Sequence, residues 1–265
     1  EVKEHSEMIT KVNPDTGNIQ LAGAAIGTAD NVVRSFDILS LLMMQNSAPM
    51  LDAEGYATFN RIPSELGDVE IAPGQGALDF YTQFASPLYS HYSWNDEMPS
   101  SLTAFINGKV GYFFGYSYNL EQIQAGAPKL NLGIASMPQV GNNRVNYANY
   151  WLETVSKKGD NQNYAWDFVQ FLTNEDNVTS YLTERKRPTA LRVNSVINDQ
   201  LNDEYLSVFA DQILTAKSWY KGLSPTAAEE TFAEMINLTL TGQLSSGEAI
   251  KQAVDKINYS IDTKL

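Results

Sequence analysis

The chain has 265 residues, of which 43% are hydrophobic and 18% are charged. This length and composition are sufficient for one large or two ordinary globular domains, and they exclude a disordered tail. The 31 acidic and 18 basic residues give a formal charge of −13, which repels phosphate backbones. Nucleic acid is therefore not expected as a partner. Because the chain has no cysteine, disulfides, thiolate catalysis and cysteine metal sites are excluded.

The longest apolar runs, such as LLMM at 41–44, are far shorter than the roughly 20 residues that a membrane-spanning helix requires. We therefore expect the chain as given to be soluble. It begins with Glu1 and shows no signal peptide, so its N-terminus is expected to be mature, engineered or truncated.

Apolar residues at helical spacing predict three helices in the N-terminal half, over 32–48, 76–89 and 99–109. Asp30 or Asn31 is placed to cap the first of them. The methionine-rich face of this first helix is expected to be buried.

The most aromatic stretch of the chain is YFFGYSY at 112–118. Alternation predicts a strand over 109–115, in which Val110, Tyr112 and Phe114 share one face. These strand rings are expected to belong to the core rather than to a ligand site.

The turn after this strand carries Tyr116, Ser117 and Tyr118, and a further helix follows it. In open α/β sheets, ligands bind in the crevice beyond the carboxyl ends of the strands. The stretch GYSYN also lies close to the G-x-S-x-G motif of serine hydrolases. However, Asn119 replaces the second glycine, and both histidines precede Ser117 instead of following it. A serine hydrolase is therefore disfavoured.

Two strands are predicted next, over 130–138 and 149–156, followed by a strongly amphipathic helix over 161–174. From about residue 199 the chain is predicted to be almost wholly helical, with Gly242 separating the last two helices. The mixture of helices and strands indicates an α/β protein with mixed sheets.

No constellation of side chains with a catalytic spacing is apparent. The two histidines are isolated, and there is no P-loop or dinucleotide fingerprint. Glu229 and Glu230 are neighbours on a predicted helix and do not face each other, so they are not expected to act as a pair. We expect no catalytic residue, no metal and no cofactor.

Aromatic side chains are placed at the ends of several predicted elements. Tyrosine and tryptophan combine a flat apolar face with a polar edge, which suits the stacking of carbohydrate rings. A packing role for each ring remains equally open. The positions are Trp94, Tyr116, Tyr118, the run at 147–151 and the run at 218–222.

The order of these segments resembles the extracellular solute-binding proteins of ABC importers, the group that includes maltose-binding proteins. The resemblance implies a two-lobe α/β fold of the type II periplasmic binding proteins, without enzymatic activity. It implies an extracytoplasmic monomer, periplasmic or lipid-anchored, that captures a sugar in a cleft and delivers it to ABC permease subunits. The stretches that carry it are SLTAFINGKVGYFFGYSYNL, LNLGIASMPQV, NYWLETVSKKGDNQNYAWDFVQFLTNEDNVTSYLTERKRPTAL and LTGQLSSGEAIKQAVDKIN.

The same resemblance implies a division of the chain between two lobes. Residues 1–152 and 206–265 are expected to form the second lobe, and 153–205 to return to a first lobe whose N-terminal portion is absent. The return segment would then expose apolar surface. The side chains expected to be exposed are Phe168, Phe171 and Leu172.

The resemblance also implies ligand-binding positions, where rings stack on a sugar and polar groups bind its hydroxyls. A carbohydrate-active enzyme and a surface adhesion protein that binds a protein partner remain alternatives. The implied positions are Thr28, Asp30, Asn31, Tyr116, Ser117, Tyr118, Asn149, Tyr150, Trp151, Trp219 and Tyr220.

Overall fold

The protein is a helix-rich α/β fold in a computed structural model that describes residues 1–141 and 144–263. Within these ranges the strands are β1 (Lys11–Val12), β2 (Ile19–Ala24), β3 (Val110–Tyr112), β4 (Asn146–Tyr147) and β5 (Ala216–Lys217). The helices are α1 (Val2–Ile9), α2 (Ser35–Gln45), α3 (Pro73–Gln83), α4 (Ser101–Ile106), α5 (Asn119–Gly126), α6 (Gln162–Leu172), α7 (Glu175–Arg185), α8 (Asn194–Leu201), α9 (Leu206–Asp211), α10 (Pro225–Leu240) and α11 (Ser246–Thr263). No helix in the described ranges is both long and apolar enough to cross a bilayer.

The main sheet has the order β1-β2-β3, with β1 antiparallel and β3 parallel to β2. In the parallel pair, Ala22 lies opposite Val110 and Ala24 opposite Tyr112. Helix α1 packs directly on β2. The two backbones are so close at Gly23 that an added Cβ atom would lie only 2.4 Å from the Cα atom of Ser6. The sheet is thus covered on this side by helix backbone.

The core lies between this sheet and helices α2, α3, α10 and α11. Its centre is a cluster of aromatic rings, whose contacting centroids are 4.6 to 6.1 Å apart. These buried rings join α2 to α10 and to the loops that flank them. The cluster consists of Phe36, Phe59, Trp219 and Phe232.

The predicted strand in the aromatic stretch is confirmed, although its ladder is only three residues long. Val110 is buried, and Tyr112 and Phe114 pack against the core as predicted. Phe113 points elsewhere and lies near Phe105, with ring centroids 5.7 Å apart. The strand rings are therefore structural.

Two predicted strands are wrong. Neither 130–138 nor 149–156 forms a strand, and the ladder in this region is the short parallel pair of β4 and β5. Alternating apolar residues make a strand only where a neighbouring strand supplies hydrogen bonds. In the described ranges no such neighbour flanks these two segments.

The predicted cap of the first long helix is also wrong. Helix α2 begins after Arg34, whose backbone is left-handed (φ 60°, ψ 36°) and whose side chain makes no capping bond. Asn31 instead donates from Nδ2 to the carbonyl oxygens of Asn95 (2.8 Å) and Met98 (2.9 Å). Its amide therefore ties two loops together.

The C-terminal region is helical as predicted but less continuous. Two short helices, α8 and α9, stand where one longer helix was expected. Gly242 has a left-handed backbone (φ 67°) and follows α10. Ser245 and Glu248 then form a reciprocal cap at the start of α11, with Ser245 N donating to the Glu248 carboxylate at 3.0 Å.

The start of helix α10 provides a test of the capping geometry. Ser224 Oγ accepts a hydrogen bond from Ala227 N at 3.3 Å, and Pro225 occupies the first turn. We expect Ser224→Ala to lower the free energy of unfolding by about 1 kcal/mol in urea titrations, because a backbone N–H loses its partner. Ser224→Asp, which retains a capping oxygen, should unfold like the wild type. Equal destabilisation by both variants would contradict the capping role.

Helix α6 exposes the apolar side chains that were predicted to lie at the surface. Phe168, Phe171 and Leu172 on α6 all lie at the surface of the described chain. Trp151, which precedes this helix in the chain, is 96% exposed. Such a concentration of exposed rings is typical of a surface that another protein segment covers.

Candidate functional site

Two tyrosines form a stacked ring pair on the turn between β3 and α5. The centroids of Tyr116 and Tyr118 are 5.5 Å apart, and their planes differ by 20°. Asn119 Oδ1 accepts a hydrogen bond from Tyr116 N at 2.9 Å, which fixes the turn. A side chain at Gly115 would collide with the Phe113 ring, 2.5 Å from its Cβ position. The turn therefore depends on glycine, and it places both rings beyond the carboxyl end of a parallel strand.

A buried carboxylate holds the first ring of the pair. The Tyr116 hydroxyl donates to Asp37 Oδ2 at 2.7 Å. Arg34 donates to the same carboxylate through Nε (2.6 Å to Oδ2) and Nη2 (2.9 Å to Oδ1). Asp37 is only 3% exposed, so its charge depends on these partners. Burial and the Asp37 carboxylate raise the pKa of Tyr116 well above its usual value, so the phenol remains protonated.

The charge network continues to helix α10. Arg34 Nη2 lies 3.2 Å from Glu229 Oε1, and Lys221 Nζ lies 3.8 Å from the same oxygen. The hydrogen bond with Asp37 raises the pKa of Arg34 further. Lys221 also lies 4.7 Å from the centroid of the Phe36 ring. A series of alternating charges therefore begins at the Tyr116 hydroxyl and runs through Asp37, Arg34, Glu229 and Lys221.

Tyr147 on β4 borders this network. Its hydroxyl is buried beside the Asp37 carboxylate, without a hydrogen bond of good geometry to any described residue. Burial is the main cause that raises its pKa, and the charge of Asp37 and a weak hydrogen-bond interaction with it add to the shift. The phenol is thus a neutral donor next to a carboxylate that already accepts three bonds.

The second ring of the pair is open to solvent and has a cationic neighbour. Tyr118 is 38% exposed, and the Arg187 guanidinium carbon lies 5.6 Å from its ring centroid. Gln200 holds the loop of Arg187 by donating to the Arg187 carbonyl (2.8 Å) and accepting from Thr189 N (2.8 Å). The segment predicted to return to the first lobe therefore reaches the ring pair.

The third residue of the turn, Ser117, is half-buried, and its hydroxyl makes no hydrogen bond with a described residue. It remains available to a ligand.

The early loop lies in the interior. Thr28 is buried, its hydroxyl donates to Asn31 Oδ1, and its carbonyl accepts from the Tyr81 hydroxyl at 2.7 Å. The Asn31 oxygen also accepts from Trp94 Nε1 at 2.9 Å. Asp30 is exposed and accepts only a 3.3 Å bond from Asn237. Thr28 and Asn31 therefore use their polar groups within the protein, and only Asp30 presents its carboxylate to solvent.

The remaining predicted ligand positions are not brought to the ring pair. Asn149, Tyr150 and Trp151 are exposed, and no hydrogen bond or ring contact joins them to Tyr116 or Tyr118 in the described ranges. Their roles in binding stay predictions.

Trp219 and Tyr220 differ in burial. Trp219 is 8% exposed, and its indole N–H donates to Ser40 Oγ at 3.1 Å within the core. Tyr220 is exposed. Trp219 therefore offers almost no surface for stacking, whereas Tyr220 does.

A family model of the bacterial extracellular solute-binding proteins matches residues 24–195, which is more than half of the chain. The chain belongs to this family. The resemblance drawn from the segment order is thereby confirmed. No curated protein matches the sequence.

Solved structures show the fold of this solute-binding protein. An ABC transporter solute-binding protein from Thermotoga lettingae TMO, bound with alpha-D-tagatose, has a TM-score of 0.72 at 18% identity, covering 98% of this chain and 63% of that one. A maltose/maltodextrin-binding domain from Bdellovibrio bacteriovorus, bound to maltotriose, has a TM-score of 0.68 at 15% identity, covering 98% and 65%. A cyclo/maltodextrin-binding protein complexed with maltotetraose has a TM-score of 0.70 at 17% identity, covering 99% and 64%.

These superpositions confirm the predicted α/β fold class. The solute-binding protein spans less than two thirds of the length of these three structures. At such identities the likeness establishes the fold and leaves the ligand open. In the part of the chain that the structure describes, no group of three or more metal-binding side chains is placed to hold an ion.

Sequence reasoning missed the polar half of the site. Arg34 and Asp37 were counted as part of an apolar helix, yet they fix the position of Tyr116. A signal was present, because a carboxylate in the apolar run SFDILSLLMM needs a buried partner. Arg187 gave no comparable signal, since its distance from Tyr118 along the chain is large.

Proposed function

We propose that the protein captures a sugar or oligosaccharide outside the cytoplasm and delivers it to the membrane subunits of an ABC permease. The observation that carries the proposal is the Tyr116–Tyr118 ring pair, which lies beyond the carboxyl end of β3 with one ring open to solvent. Aromatic faces stack on the C–H faces of sugars, and nearby polar groups bind the hydroxyls. The protein acts as a monomeric receptor in the periplasm or on a lipid anchor, and not as an enzyme.

The two rings have different roles in the proposed binding site. Tyr116 is fixed by Asp37 and has its hydroxyl already bonded, so it supports its neighbour. Tyr118 presents the free surface, and Ser117 supplies an unbonded hydroxyl beside it. A rigid ring costs little conformational entropy on binding, because it is ordered before the ligand arrives.

The two-lobe arrangement is part of the proposal. Residues 1–152 and 206–265 form one lobe, and 153–205 return to a second body that covers the apolar face of α6. The exposure of Phe168 and Phe171 supports this division, because these rings lack a partner within the described chain. Closure of two such lobes over a ligand is the usual hinge motion of binding proteins.

Removal of the exposed ring tests the proposal. We expect Tyr118→Ala to weaken the affinity for the bound sugar by roughly 10- to 100-fold, the equivalent of burying a large side chain. Isothermal titration of the full-length protein against a panel of mono- and oligosaccharides measures the effect. A thermal-shift screen of the wild type identifies the sugar class beforehand, since a ligand of the folded state raises Tm.

Tyr89→Ala is the matched control, because Tyr89 is an exposed tyrosine that packs near His91 instead of near the ring pair. It should bind like the wild type. If no sugar of the panel binds the wild type, the proposed function is wrong. If Tyr118→Ala retains full affinity for a sugar that does bind, the ring pair is not the site.

A further inference from the structure

Two cationic side chains, Arg34 and Arg187, lie at the ring pair in a chain whose net charge is −13. Arg34 belongs to a network with Asp37, Glu229 and Lys221, in which two cations balance two carboxylates. Arg187 lies outside this network and adds one positive charge beside Tyr118. The charge beside Tyr118 is therefore positive, although the net negative charge of the whole chain repels anions.

The excess charge resides on Arg187. Arg34 is neutralised by Asp37 and Glu229, and Lys221 lies near Glu229. Arg187 makes no ion pair with any carboxylate in the described ranges. Its guanidinium contacts the Tyr118 ring and keeps its donors free of carboxylate partners.

The backbone that carries Arg187 is also held in place. Gln200 is buried and bonds the Arg187 carbonyl and the Thr189 N–H, at 2.8 Å in each case. An arginine on an ordered loop above an aromatic ring is preorganised for a planar anion, because the cost of ordering it is met on folding. A ligand that contacts the solvent-exposed part of Tyr118 would lie within reach of this group.

We infer that Arg187 determines specificity and that the ligand class is an acidic carbohydrate, in which a ring carboxylate pairs with the guanidinium. The inference rests on the proposed sugar-binding function and refines it. A guanidinium matches a carboxylate through two parallel N–H···O bonds, which a hydroxyl cannot offer. The single unpaired cation matches the single charge of a uronic acid, whereas a sugar phosphate carries more charge into an acidic protein.

The test compares each neutral sugar with its acid. Isothermal titration of the full-length protein would use glucose with glucuronate, galactose with galacturonate, and the corresponding disaccharides, with glucose 6-phosphate as an additional ligand. A charge-assisted bond predicts roughly 10- to 100-fold tighter binding of the acid. The preference should diminish as salt rises, because exposed charges are screened.

Arg187→Gln should lower the affinity for the acid to that for the neutral sugar, so that the preference for the acid is lost. Arg187→Lys keeps the positive charge but loses the planar guanidinium that donates two parallel hydrogen bonds. This variant should therefore retain part of the preference for the acid. The matched control is Arg185→Gln, which removes the same charge from an exposed position two residues earlier. It should leave the preference intact.

Equal affinity of the wild type for acids and neutral sugars would overturn the inference and leave sugar binding standing. An equal loss for both ligands in Arg187→Gln would also overturn it, since Arg187 would then only support the ring. Tighter binding of glucose 6-phosphate than of any uronate would contradict the inference that Arg187 pairs with a carboxylate of the ligand. If neither kind of sugar binds, the proposed function and the inference are both wrong.

Discussion

Trp219→Ala is expected to lower the free energy of unfolding by about 3–5 kcal/mol, the usual cost of deleting a large buried ring. The indole packs between Phe36 and Phe59 and contacts Phe232, with centroid distances of 5.8, 6.1 and 5.9 Å. Its N–H bond to Ser40 would also be lost, which leaves a buried hydroxyl without its donor. Urea titration followed by circular dichroism measures the change in midpoint.

The adjacent ring provides the control. Tyr220 is exposed, so Tyr220→Ala should change the stability by less than about 1 kcal/mol. Equal losses in the two variants would show that Trp219 is not in the core. A large loss confined to Trp219→Ala would also mean that this variant reports on folding, and that a change in its sugar affinity carries no information about the binding site.

The helices were predictable because their signal is local. Phe36, Leu39 and Met43 recur at helical spacing, and the structure buries all three in α2. Gly242 marks the end of α10 in the same way. These features depend on residues a few positions apart, so the sequence alone contains them.

The strands after residue 130 were not predictable, because a strand is defined by its partner. The pair of β4 and β5 joins residues 146–147 to 216–217. Neither stretch contains a sequence pattern that identifies the other as its partner. The same limit applies to Trp219, since a tryptophan at a loop position fits both a core and a stacking role. Its burial follows from the arrival of rings from α2 and α10, which are distant in sequence.

The turn of the candidate site was predictable from the sequence, whereas its charged residues were not. Tyr116 and Tyr118 are two positions apart on the predicted strand-to-helix turn, so the sequence alone brings them close together. The anchoring carboxylate of Asp37 lies 79 positions before Tyr116 and was not connected to it by any motif. Buried polar partners of this kind have no regular spacing in the sequence, so only the folded structure identifies them.

Asp37→Ala is expected to destabilise the protein and to weaken sugar binding in the same variant. Loss of one partner from a buried ion pair costs about 3–5 kcal/mol. Because the Arg34 side chain is 26% exposed and keeps Glu229 as a partner, we expect the smaller value of about 2–3 kcal/mol. Affinity should decrease as well, since the Tyr116 hydroxyl loses its acceptor and the ring pair loses its fixed position. Urea titration and isothermal titration calorimetry measure the two effects.

Two variants separate these effects. Asp30→Ala removes the same charge from an exposed site whose only bond, from Asn237, is 3.3 Å long, so stability should change by less than about 0.5 kcal/mol. Tyr116→Phe leaves the Arg34–Asp37 pair intact and removes only the hydroxyl bond, which should cost about 1 kcal/mol. If Tyr116→Phe weakens sugar binding, Asp37 acts through the position of the ring. If Asp37→Ala is destabilised but binds sugar with wild-type affinity, the buried network supports the fold alone, and Tyr118 keeps its place without it.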